Sequence, residues 1–219
     1  MNIFILAGEP SGDEYGAKLM EQLKKNNPKI TFNGIGGSLM SAQGLNSMAP
    51  FQKMSVMGFA EVIKSLFFFI NLEKKILTFF KKNKPDKIIL IDYPGFNLRL
   101  SKKIKSQTNV PIIYYISPQI WAWKENRIKT IKKYVDEMIV IFEFEKNWYK
   151  SKKINVNYGG HPFLDIWQPN QNLDSLLLNH RIDLDQPILT LFPGSRQQEI
   201  DKHLHLFVKA ALKIKKTIP

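Results

Sequence analysis

Ile-Ile-Leu-Ile-Asp-Tyr-Pro-Gly-Phe-Asn, residues 88–97, decides the fold. Ile88, Ile89, Leu90 and Ile91 are consecutive aliphatics without polar alternation, the pattern of a strand buried on both faces in a parallel sheet. Asp92 follows at once, and Pro94 and Gly95 stop the strand. In open α/β sheets ligands bind beyond the carboxyl ends of the strands. Asp92 therefore stands where a catalytic residue would. The plain alternative is a carboxylate that satisfies turn amides or caps the next helix.

Working outward, strand and helix periods alternate. Residues 2–7, 30–35, 87–91, 111–116 and 137–142 read as strands, with a short one around Val156 and Tyr158. Helical stretches are expected over 13–26, 38–43, 56–80, 96–106 and 124–133, with a short helix after residue 142. This order predicts a Rossmann-like parallel sheet with helices on both faces and right-handed crossovers. Residues 165–187 are polar and loop-like around a short helix expected at 173–180. A new unit then opens, with a strand expected at 187–192, a turn at 193–196 and a helix at 197–216. The expected division is an N-terminal domain over 1–168 and, over 169–219, a linker with the first βα unit of a second domain. One strand and one helix cannot bury a core alone, so the chain reads as an N-terminal fragment, or else its last unit packs on the first domain.

Composition narrows the chemistry. The 219 residues carry a net charge of +13, 44% apolar side chains and no cysteine. Disulfides, thiolate metal sites and cysteine nucleophiles are excluded. Histidines 161, 180, 203 and 205 show no zinc-ligand spacing, so no metal or cofactor is expected. The basic balance suits phosphorylated ligands or an anionic membrane. No nucleic-acid-binding motif accompanies it, so no nucleic-acid partner is expected. The N-terminus runs straight into a strand without a basic leader, and no run of eighteen apolar residues exists. The expected location is cytoplasmic.

Gly8-Glu9-Pro10-Ser11-Gly12-Asp13 lies between the first strand and first helix, where helix amides point at a bound group. It is not the dinucleotide fingerprint, and no acid ends the second strand to hold a ribose. Glu9 and Ser11 are expected to face the crevice, and Asp13 to cap the helix. Gly12 and Asn97 are further candidate substrate contacts. Gly194, Ser195 and Arg196 repeat the strand–turn–helix arrangement, and turn amides with an arginine suit a phosphate. Trp121 and Trp123 could stack a sugar or base, though packing is expected of at least one. His161 reads as a positioned structural residue. Val62, Leu66, Phe67, Phe68, Phe69 and Ile70 give a segment too apolar for one buried helix face, with lysines nearby. It fits a helix lying in a membrane interface, against the alternative of a long core helix.

Together these segments resemble lipid-A-disaccharide synthases, a bacterial glycosyltransferase family. The resemblance rests on LAGEPSGDEYGAKLM (6–20), GIGGSLMSAQG (34–44), MSVMGFAEV (54–62), KPDKIILIDYPGFN (84–97), YYISPQIWAWKENRIKTI (114–131), FEKNWY (144–149), GGHPFLD (159–165) and LFPGSRQQEI (191–200). It implies the N-terminal half of a GT-B fold and transfer without a metal. The implied donor is UDP-2,3-diacylglucosamine and the acceptor 2,3-diacylglucosamine 1-phosphate (lipid X). The products are a β-1,6-linked disaccharide 1-phosphate and UDP, formed peripherally at the cytoplasmic face of the inner membrane. By the resemblance, Asp92 matches a required acid and Arg196 a required arginine, with Glu9 and Ser11 in the cleft loop. Asp92 and Glu9 are thus the catalytic candidates. The alternative reading is a non-catalytic, membrane-associated module that binds acyl lipids.

Overall fold

The computed structural model describes residues 1–54, 62–167, 187–194 and 197–217, without the side chains of 62–65, 166 and 197–198. The chain divides into two compact units, Met1–Trp167 and Gln168–Pro219.

Among the described residues the first unit has seven strands: β1 (Asn2–Ala7), β2 (Thr31–Ile35), β3 (Leu45–Ser47), β4 (Lys87–Ile91), β5 (Ile112–Tyr115), β6 (Glu137–Val140) and β7 (Asn157–Tyr158). All neighbours are parallel, in the order β3-β2-β1-β4-β5-β6-β7. The helices are α1 (Pro10–Asn26), α2 (Ser38–Ala42), α3 (Val62–Lys82), α4 (Pro94–Lys105), α5 (Ile128–Tyr134), α6 (Glu143–Ser151) and α7 (Phe163–Ile166). Single 3-10 turns fall at Phe51–Lys53 and Glu125–Arg127. The expected Rossmann-like sheet is present.

Strand alternation sorts the core into two layers. Phe4, Leu6, Ile88, Leu90, Ile112 and Tyr114 go to one face, where α3 adds Leu72, Ile76 and Phe80 and α4 adds Phe96, Leu100 and Ile104. Ile3, Ile5, Ala7, Ile89 and Ile91 go to the other, against Ala17 and Met20 of α1 and Met40 of α2. Burial of each such aliphatic is worth about 1.5–3 kcal/mol, which is why the buried positions of β1 and β4 are all apolar. Between α3 and α4 the buried carboxylate of Glu73 pairs with Arg99 and Lys103.

Several boundaries differ from the sequence reading. α1 begins at Pro10, so Ser11, Gly12 and Asp13 lie inside its first turn. Proline is suited to that opening position, since its missing N–H would have no helical partner there. Asp13 does not cap α1. Its carboxylate accepts from the amides of Gly37 (2.7 Å), Leu39 (3.1 Å) and Met40 (3.1 Å), and so caps α2. A Cβ on Gly37 would lie 2.4 Å from that carboxylate, so glycine is required there.

The second unit contains one described helix, α8 (Gln197–Thr217). The strand expected at 187–192 is not formed: residues 187–194 carry no ladder hydrogen bonds. A strand exists only against a neighbouring strand, and no described segment pairs with this one. Ahead of α8, Gly194 takes φ +121° and leaves no room for a Cβ, which would lie 2.6 Å from Cβ of Glu199. His203 Nδ1 and the Pro193 carbonyl form a hydrogen bond of 3.1 Å. The helix expected at 173–180, the start of the one expected at 56–80, and Ser195 and Arg196 lie outside the described residues.

Candidate functional site

The strand order reverses between β1 and β4, and an open α/β sheet binds ligands at that switch point. Two junctions meet there. After β1 come Gly8 and Glu9, the latter half-buried at the start of α1. After β4 come Asp92 and Tyr93, and then α4.

The β4 junction is strained. Asp92 has φ +41° and Tyr93 φ +50°, so two consecutive non-glycine residues sit in the left-handed region. Such residues cost on the order of 1–3 kcal/mol each and cluster at functional sites. Tyr93 is locked on both sides. Its hydroxyl donates to the Met54 carbonyl at 2.9 Å, and its ring fills the space where a Gly8 Cβ would be, 2.4 Å from the nearest ring carbon. Gly8 is therefore the residue that lets the two junctions approach.

Asp92 is half-buried, and its carboxyl is pushed up to about 6 from an ordinary 3.8. Burial is the main cause, the Glu9 charge adds to it, and the Tyr93 amide opposes both. The same burial and the same Glu9 charge push Tyr93 up to about 12. A carboxylate with this value is a stronger base than a solvated one and is still ionised at neutral pH.

The other candidates separate. Ser11 is exposed in the first turn of α1. Gly12 and Asn97, expected as substrate contacts, are buried instead. Gly12 packs α1 onto the sheet, where a Cβ would lie 3.2 Å from that of Ala7. Asn97 is fully buried, and its Nδ2 donates to the carbonyls of Ile91 (3.2 Å) and Asp92 (2.7 Å). Gly194 belongs to the second unit.

Further along the sheet, both tryptophans are exposed, against the expectation that one would be packed. Trp121 lies edge-on to Phe144 at 4.9 Å and donates from Nε1 to Glu145 at 3.3 Å. Lys124 and Arg127 lie over the Trp123 ring at 4.4 and 5.6 Å. Glu145, which sequence reasoning passed over, is buried in the first turn of α6. It accepts from the Phe142 amide at 3.1 Å, and burial pushes its carboxyl up. Nearby, Ser117 and Tyr149 share a buried hydrogen bond of 2.8 Å. The sequence signal was available, as Phe-Glu-Phe-Glu places Glu145 at the third position of a helix. His161 Nδ1 accepts from the Phe163 amide at 3.1 Å, a structural contact.

The apolar start of α3 is divided. Leu66 and Phe67 are exposed, at 48% and 65%. Phe68 and Phe69 pack against the core instead, Phe69 at 5.3 Å from the Phe96 ring. Ile70 is half-buried, and Val62 is among the residues without a described side chain. Among the described residues, no helix is long and apolar enough to cross a membrane. On another part of the surface, a recess of about 510 Å³ is lined by Asn33, Asn46, Lys74, Lys75, Lys82 and others, none of them from the switch point.

The profile of one family, described as lipid-A-disaccharide synthetase, matches residues 3–219. A lipid-A-disaccharide synthase of Coxiella burnetii is 40% identical over 218 residues, which are 100% of this chain and 58% of that protein. Lipid-A-disaccharide synthase 1 of Legionella pneumophila is 41% identical, over 95% of this chain and 54% of its own length. The chain thus spans little more than half the length of these curated relatives. Among solved structures, a UDP-GlcNAc 2-epimerase from Neisseria meningitidis superposes with a TM-score of 0.66 at 14% identity, covering 100% of this chain and 64% of that one. At that identity the likeness shows the fold, a Rossmann-like domain of the GT-B type.

Proposed function

The chain belongs to the lipid-A-disaccharide synthetase family, and from that premise we propose that its first unit supplies the acceptor-activating wall of a glycosyltransferase of lipid A biosynthesis. The donor in this reading is UDP-2,3-diacylglucosamine and the acceptor is 2,3-diacylglucosamine 1-phosphate. The observation that carries it is Asp92: a half-buried carboxyl at the switch point, raised to about 6.

The chemistry follows from that group. The ionised Asp92 carboxylate takes the proton of the acceptor 6-hydroxyl as that oxygen attacks C1 of the donor. The new C1–O bond forms as the C1–O bond to UDP breaks with its electron pair, inverting the sugar to the β-linkage. Glu9 keeps the base strong by its charge. In this reading Ser11, exposed in the first turn of α1, contacts the bound sugar. The departing diphosphate needs fixed positive charge or amide donors, the role assigned to Arg196 with Gly194 and Ser195.

Both substrates carry acyl chains, so they must be drawn from a membrane. Leu66 and Phe67, exposed near the start of α3, are the residues suited to enter its surface. Lys74, Lys75, Lys81 and Lys82, also exposed, follow on the same helix and suit an anionic leaflet. The site of action in this reading is the cytoplasmic face of the inner membrane.

The test is UDP release from the two lipid substrates. A full-length protein is expected to release UDP, and Asp92→Asn to slow it roughly 100-fold or more. Arg196→Ala should weaken donor use, with partial rescue by lysine, which lacks the planar fork. The 219-residue chain alone is expected to release none. Undiminished turnover in the Asp92→Asn enzyme would remove the base from the reading. Binding of acyl lipid without any UDP release from the full-length protein would favour the non-catalytic lipid-binding module.

A further inference from the structure

The backbone carbonyl of Asp92 is held by two side-chain donors. It accepts from Asn97 Nδ2 at 2.7 Å and from the Tyr114 hydroxyl at 2.6 Å. The two donors come from different elements, α4 and β5, and both side chains are fully buried. Asn97 Nδ2 also reaches the Ile91 carbonyl, so one amide group spans the last strand residue and the first turn residue.

Holding this position leaves an acceptor unpaired. Asn97 Oδ1 is buried and has no hydrogen-bond partner among the described residues. Flipping the amide would set that oxygen against two carbonyl oxygens, so the orientation is fixed by chemistry. An unpaired buried acceptor beside two left-handed non-glycine residues is not what stability alone would select.

Strand alternation shows what the arrangement achieves. Were residue 92 extended, its side chain would join Ile88 and Leu90 on the face packed against α3 and α4. The left-handed turn breaks that alternation and keeps the carboxyl where the Glu9 charge reaches it. We propose that Asn97 and Tyr114 are positioning residues, a two-donor clamp on the Asp92 carbonyl that holds the carboxyl out of the core and at the switch point. Its relevance to catalysis rests on the reading of Asp92 as the base, while the clamp itself does not.

The charged and titratable groups bearing on the site are Glu9 from the β1–α1 junction, Tyr93 from the turn itself and Tyr114 from β5. Tyr149 and Arg127 act in turn on Tyr114. The most direct measurement is therefore the titration of Asp92 itself, followed by carboxyl-carbon NMR on this chain. Tyr114→Phe removes one oxygen from the clamp, and Asn97→Ser shortens the other donor out of reach. Each is expected to raise the Asp92 midpoint further above about 6, because a carboxyl released toward the face of Ile88 and Leu90 is more deeply buried. In the full-length enzyme each is expected to cut kcat roughly 10- to 100-fold, the scale of a misplaced catalytic group, with KM within about twofold.

An Asp92 midpoint that stays put or falls in a folded Tyr114→Phe or Asn97→Ser protein overturns the clamp, whatever happens to kcat. A midpoint that rises while kcat stays constant supports the clamp and removes Asp92 as the base. The unaltered chain offers a check that needs no variant. A clamped Tyr114 hydroxyl proton should exchange slowly enough to be observed by NMR, and a proton exchanging at the solvent rate would overturn the proposal.

Discussion

Replacing Asp92 by asparagine should make the protein more stable at neutral pH while making it a poorer enzyme. The carboxyl is raised from 3.8 to about 6 on folding. The folded state therefore binds this proton more tightly than the unfolded chain does. The stability contributed by the protonated form is full below pH 3.8 and is lost as pH rises through about 6. Above pH 6 the loss is about 3 kcal/mol as an upper bound, from a shift of roughly two units at 1.36 kcal/mol each. Around pH 5 it is roughly half of that, and near pH 3 about nil. Partial solvation of the crevice reduces these figures, so about 1–3 kcal/mol is expected between pH 3 and pH 8. Asparagine, which does not titrate, removes this pH dependence. The assay is thermal unfolding of the first unit from pH 3 to pH 8, wild type against Asp92→Asn. For a domain of this size each kcal/mol moves Tm by about 2–4 °C. The difference in Tm should shift in favour of the variant as pH rises through about 6. A difference that is flat with pH, or that moves toward the wild type above pH 6, would refute the claim that Asp92 is held at a raised value by burial.

Glu9→Gln removes a charge that raises Asp92, so the acid limb of the activity profile should move to lower pH; an unmoved limb in an active variant would show that Glu9 does not act on Asp92. Leu66→Ser with Phe67→Ser should weaken sedimentation with anionic vesicles and leave Tm nearly unchanged, because both side chains are exposed. Phe69→Ser should instead lower stability, by roughly 1–3 kcal/mol, since its ring packs on Phe96. Glu73→Ala should cost about 1–3 kcal/mol in chemical denaturation, the scale of lost charge-assisted hydrogen bonds, because the Arg99 and Lys103 it leaves unpaired are solvent-accessible.

The central strands were legible because burial on both faces forces unbroken aliphatic runs, as in residues 88–91. The position of Asp92 followed from that run and the Pro94-Gly95 stop. β3 was not legible: Leu-Asn-Ser offers one apolar residue, and the strand exists through its pairing with β2. The left-handed turn at Asp92 and Tyr93 carries no glycine and so no local signal. What permits it is Gly8, some eighty positions away, under the Tyr93 ring. Asn97 read as a ligand contact because its type is polar and its place is near the crevice. Its burial beneath two carbonyls is a tertiary fact. Asp13 was recognisable as a cap but not as the cap of α2, because the spacing from residue 13 to residue 37 says nothing about proximity. Residues 62–70 announced more apolar surface than one helix face can bury, yet which phenylalanines turn inward depended on where Phe96 would lie.

The pairing of β1 with β4 at the centre of the sheet also sets an order of events during synthesis. Ile3 lies beside Lys87 and Ala7 beside Ile91, so the seam joins segments more than eighty residues apart. Until residue 91 has left the ribosome, β1 can pair only with β2, and its other edge stays open. At about 5–20 residues per second that interval is roughly 5–20 s. During it the apolar rows of β1 and β2 are exposed to other nascent chains, and long-range parallel pairing closes slowly even once the partner strand arrives. Destabilising changes in β4 should therefore lower the yield of folded protein in the cell more than their effect on the purified domain would suggest.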